Sequence, residues 1–175
     1  MRRFLVILVC ALAAVPAALA GPNAAGDGVL ELKAVYGKVT IGREVLPARG
    51  LLWGQMDSGK LVVEDPILGD GRILVTGWDN RVYTPASIFD DTPAQTTYTG
   101  TNIHFRVTGG KYRLIFRGAG IALTAIGAGV AYLNANENVV DAGYFAVDAG
   151  DWTPAPLNVT KSVPFGTQTP PSPTP

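Results

Sequence analysis

The chain has one cysteine, Cys10, and one histidine, His104, among its 175 residues. That scarcity removes the ligands for zinc or iron–sulfur sites and the thiols for redox chemistry. No metal and no cofactor is therefore expected. Charge is sparse as well: 14 Lys+Arg balance 14 Asp+Glu, so the basic excess of a nucleic-acid binder is missing. After the first twenty residues no polar-faced stretch of a dozen residues follows the helical period. What the chain does have is 21 glycines, 13 prolines and 47% apolar residues. This composition shortens helices, punctuates strands and still fills one core.

The N-terminus reads as an export signal. Met1-Arg2-Arg3 is a basic start, Phe4 to Leu19 is almost wholly apolar, and Ala18-Leu19-Ala20 offers the small-x-small cleavage pattern. Pro16 breaks the segment just before that site. The expected organisation is a signal peptide over 1–20, a flexible N-terminus over 21–28, one β domain over 29–152 and a Pro-rich disordered tail over 153–175. Seven of the thirteen prolines fall between Pro154 and Pro175, and such a segment favours extended, unpacked states. Cleavage would leave a secreted or cell-envelope protein with no cysteine, no membrane attachment and a formal charge of −2.

The body reads as strands. Ile103 to Thr108 alternates apolar and polar, Gly109-Gly110 follows, and Lys111 to Arg117 alternates again. Two glycines between alternating runs predict a two-residue hairpin. Ile103, Phe105, Val107, Tyr112, Leu114 and Phe116 then face the core, with Arg106 set opposite Arg113. His104, Arg106, Lys111, Arg113 and Arg117 fall on the outer side, a basic face with no acid, and form the candidate anion-binding site. Internal compensation of this charge by Glu137, Asp141, Asp148 and Asp151 is the preferred reading, with anion binding as its alternative. Gly118 to Leu133 contains no charge and is short for a membrane span. It reads as two buried strands, Ile121–Ile126 and Val130–Leu133, around a glycine turn.

At an offset of 70, Gly50-Leu51 lies on Gly120-Ile121 and Gly59 on Gly129, which suggests repeats over 29–79 and 101–152. Residues 80–100 then form a connecting loop with one short strand near Arg81-Val82-Tyr83. The expected fold is all-β, an antiparallel sandwich or barrel of eight to ten short strands. A β-solenoid is the alternative, because glycine turns recur every nine to sixteen residues around Gly109, Gly118, Gly127 and Gly143.

No catalytic set emerges. Gly54 to Lys60 matches the start of a phosphate-binding loop, but Leu61 replaces the magnesium-binding hydroxyl and a strand replaces the helix. It reads as a glycine turn. A serine triad would need His104 in mid-strand, and no Gly-x-Ser-x-Gly elbow exists. Glu64-Asp65 and Asp90-Asp91 are adjacent acids rather than acids facing across a cleft. Asp65, Asp70, Asp90 and Asp91 lack calcium-loop spacing.

The stretches Asp57 to Asp65 and Gly118 to Leu123 resemble segments of small uncharacterised secreted bacterial all-β proteins. The resemblance implies the fold class and carries no activity or site. The expected function is a secreted, non-enzymatic β domain with a structural or binding role. One alternative is a module for anionic or wall polysaccharide, with Trp53, Trp78, Trp152 and the tyrosines as a stacking platform, although core packing is the expected place of each tryptophan. The other is a hydrolase of unrecognised type. Neither nucleic acid nor a membrane is expected as a partner.

Overall fold

Period-two alternation dominates the chain and produces strands wherever it occurs. A computed structural model describes residues 26–67, 69–87, 89, 92–134, 143–155 and 159–167. The expected signal peptide, Glu137, Asp141, Asp90, Asp91 and the end of the tail lie outside the described residues. Eight strands form one sheet: β1 (Gly28–Ile41), β2 (Ala48–Glu64), β3 (Arg72–Thr76), β4 (Asn80–Thr84), β5 (Gln95–Asn134), β6 (Tyr144–Val147), β7 (Thr153–Pro154) and β8 (Lys161–Phe165). The architecture is all-β and antiparallel, without closure into a barrel.

Register explains how so few long strands make a compact body. Glu64 pairs with Gln95 and Leu52 with Val107, so partner numbers fall as β2 advances; the same strand runs from Arg49 opposite Ala128 to Glu64 opposite Arg113. β2 therefore lies between two successive passes of β5, antiparallel to both. Ala48 pairs with Tyr112 and Glu64 with Arg113, the very next residue. Extended straight, 17 residues would hold those ends about 50 Å apart. β2 must instead wind through a full turn.

The molecule is thus one long hairpin, its arms meeting where Thr84 faces Gln95, rolled up on itself. The arm of β1 to β4 lies between passes of the returning arm. The roll keeps two open ends, β3 and β4 at one and β7 and β8 at the other.

Glycines make the corners. Gly28 and Gly37, Gly50 and Gly59, and the series Gly100, Gly109, Gly118, Gly127 are each nine residues apart. Gly37 and Gly59 both pair with Gly118, whereas Gly28 and Gly50 both pair with Gly127, so two glycine columns flatten the roll into two walls. Gly118 has φ +154°, and a Cβ there would sit 2.9 Å from Gly59 Cα. Only glycine allows strands to turn this close together.

Residues 29–36, 51–58, 101–108 and 119–126 form the first wall. Residues 38–41, 60–64, 95–99, 111–117 and 128–134 form the second. Their alternate side chains meet in one core that includes Leu32, Leu52, Met56, Phe105 and Leu123 from the first, and Ile41, Leu61, Tyr112, Phe116 and Leu133 from the second.

Several expectations need correction. Gly109-Gly110 does have two positive φ values, +79° and +78°, but it is no hairpin tip. Val107 is flanked by Leu52 and Ile73, and Leu114 by Val63 and Ile41, so neither is free to pair with the other. The glycines form a corner between passes. All six expected core residues around them are nevertheless buried.

The tail is not wholly disordered from residue 153, since β8 pairs with 129–133 and buries Val163 and Phe165. Pro164 is tolerated because β8 is an edge strand. The connector 80–100 is mostly strand, with Arg81-Val82-Tyr83 paired as expected. The expected turns at Gly127 and Gly59 are instead bends with positive φ inside continuous strands: Gly118 to Leu133 is all part of β5, and Gly59 lies within β2. Among the described residues no helix is long and apolar enough to cross a membrane.

Candidate functional site

The outer face of the first wall carries a broad groove. Trp53 pairs with Arg106 on one side and Thr124 on the other, and Gln55 pairs with His104 and Ala122. Glu31 faces Thr124, and Lys33 faces Ala122. Small residues on the strand between β2 and β1 lower the floor there. The result is a groove of about 560 Å³ between Trp53 and Trp152.

Each indole is about two-fifths exposed, 42% for Trp53 and 43% for Trp152. The Lys33 ammonium lies 5.1 Å from the Trp152 ring centre, a cation–π contact that fixes the indole over the far bank. The strands bearing Trp53 and Lys33 are two spacings apart, about 10 Å. His104, Arg106, Gln55, Glu31 and Lys33 place donors and acceptors around this apolar bracket. Core packing of the tryptophans, their ordinary place, does not occur: Trp78 is also 42% exposed, tilted against Tyr98 at 6.2 Å, away from this groove.

The five basic residues expected on one face are divided between two. His104 and Arg106 project from the first wall, Lys111, Arg113 and Arg117 from the second. Arg106 does not face Arg113; it lies between Trp53 and Leu74. Arg113 donates from Nη1 to both carboxylate oxygens of Glu64, at 3.0 and 2.7 Å, so its charge is compensated by an acid that sequence reasoning did not assign to it. The Lys111 backbone N–H donates to Asp70 at 2.9 Å. Asp148 accepts the Val29 N–H at 2.9 Å and, among the described residues, forms no ion pair with any of these five.

Among the described residues no group of three His, Asp or Glu side chains could hold a metal. Ser58 sits at a corner opposite Thr101, whereas His104 lies between Gln55 and Thr76; they are not register neighbours. No family model matches the chain, and no curated protein or solved structure matches it.

Proposed function

We propose that the protein is an exported, non-enzymatic binding domain that takes a polysaccharide chain across the first wall. The supporting observation is the pair of part-exposed tryptophans, Trp53 and Trp152, that line one groove with the small residues Gly54 and Ala122. Aromatic faces left in water are unfavourable for folding alone, and they suit ligands with one apolar face and polar edges. Sugar rings have that character. Arg106, His104, Gln55 and Glu31 are placed to bond hydroxyl groups at the edges, which fixes orientation. Glu31 is the one carboxylate among the described residues lining the groove, and glycoside hydrolysis ordinarily employs two; this favours binding over cleavage.

The test is binding of soluble wall oligosaccharides, followed by tryptophan fluorescence. Trp53→Ala and Trp152→Ala should each weaken binding about tenfold or more, equivalent to about 1.4 kcal/mol, with the fold retained by circular dichroism. Unchanged affinity in both variants would refute this assignment.

A further inference from the structure

The opposite wall carries a second constellation, assembled from three strands. Lys60 of β2 and Lys38 of β1 both pair with Arg117 of β5, one on each side. Their chain neighbours Val39, Leu61 and Phe116 are buried in the core, so alternation sends all three cationic side chains out of the same face. Strand spacing sets them in a row about 10 Å long. Thr99 extends the row beyond Lys60, and Asn134 beyond Lys38.

Like charges directly opposite each other weaken a sheet, and here two such pairs occur in succession. Among the described residues neither lysine nor Arg117 forms an ion pair; the two that exist are Arg49–Asp27 and Arg113–Glu64. Glu64, on the same wall, is thus already occupied. Glu44 borders the adjoining groove with Lys38 but makes no ion pair with it. Beside the row the corner glycines Gly37, Gly59 and Gly118 leave a groove of about 490 Å³, open to Lys38 and Arg117.

We infer that Lys38, Arg117 and Lys60 bind a linear polyanion whose carboxylates or phosphates repeat at about the strand spacing. Arg117 supplies a planar fork for one anionic group, and the lysines act as point charges on either side. The glycine corner lowers the floor of the groove, and Tyr36 and Asn134 line it beside Lys38 and Arg117. This site is on the other wall from Trp53 and Trp152 and does not rest on the reading of that groove.

The experiment is calorimetric titration of protein produced from the full-length reading frame with oligogalacturonate, inorganic tripolyphosphate and a neutral cello-oligosaccharide, at low and at raised salt. At least one polyanion should bind, with affinity falling as salt rises. The arm that responds distinguishes carboxylate from phosphate. Lys38→Gln/Lys60→Gln/Arg117→Gln should lose at least tenfold in affinity and melt no lower than wild type, because a repulsion has been removed. Trp53→Ala/Trp152→Ala should bind the polyanion normally.

The inference fails if neither polyanion binds or if the triple variant binds as wild type does. It also fails if single Lys60→Gln lowers the melting temperature, which would mean that the chain's own carboxylates neutralise the row. Binding to phosphatidylserine vesicles with no response to either soluble polyanion would overturn it too.

Discussion

Tyr112 gives the sharpest test of the rolled architecture, because it turns inward just after the Gly109-Gly110 corner. It is fully buried, opposite Ala48, and its hydroxyl has no hydrogen-bond partner among the described residues. A buried hydroxyl left unsatisfied costs about 1–3 kcal/mol. Tyr112→Phe removes that group while keeping the ring, so it should stabilise the protein by about that amount. At roughly 3 °C per kcal/mol for a domain of this size, the melting temperature should rise by about 3–9 °C.

The pH dependence gives a second, independent reading. Burial raises the Tyr112 ionisation well above the ordinary tyrosine value of 10.0. Below pH 10 the residue is protonated in both folded and unfolded chains and contributes no slope. Above pH 10 the unfolded chain releases the proton and the folded one retains it, so folded stability falls by about 1.4 kcal/mol per pH unit from this residue. The advantage of Tyr112→Phe should therefore widen between pH 10 and 12 by about that slope, the other tyrosines cancelling in the comparison. Urea unfolding of both proteins at pH 7, 10, 11 and 12 measures it. A variant less stable at pH 7 would mean the hydroxyl has a partner, such as a buried water. A constant gap with pH would mean the ring is not buried as described.

Two corner substitutions should separate backbone packing from backbone strain. Gly118→Ala meets both a positive φ and the Gly59 backbone and should cost about 2–5 kcal/mol. Gly109→Ala, with φ +79° and nothing within 4 Å of the added methyl, should cost about 1–2 kcal/mol. Equal urea midpoints would contradict the glycine columns. Glu64→Gln should destabilise by about 2 kcal/mol or more, because it strands an Arg113 side chain only 25% exposed. Adding Arg113→Met should recover part of the loss, and a double variant no better than the single one would dismiss the pair as the cause.

Local pattern determined much of this protein. Alternation from Ile103 to Phe116 decided which side chains turn inward, because consecutive residues of a strand point to opposite faces whatever lies beside them. Glycine recurrence marked the bends at Gly109, Gly118 and Gly127, whereas the regular nine-residue interval that begins at Gly100 emerged only with the paired columns. Val163 and Phe165 were missed, because the surrounding prolines read as an unpacked tail. The partners were another matter. Two glycines with positive φ suit a hairpin turn and a corner of a roll equally well; only the insertion of β2 between residues 95–108 and 113–128 distinguishes them. The same insertion parted Arg106 from Arg113, and the winding brought Lys38 and Lys60 to the two sides of Arg117. It also placed Trp53 and Trp152 across one groove although they lie far apart in the chain. Each strand edge offers the same N–H and C=O groups to any neighbour, so pairing is decided by how the whole roll closes over its core.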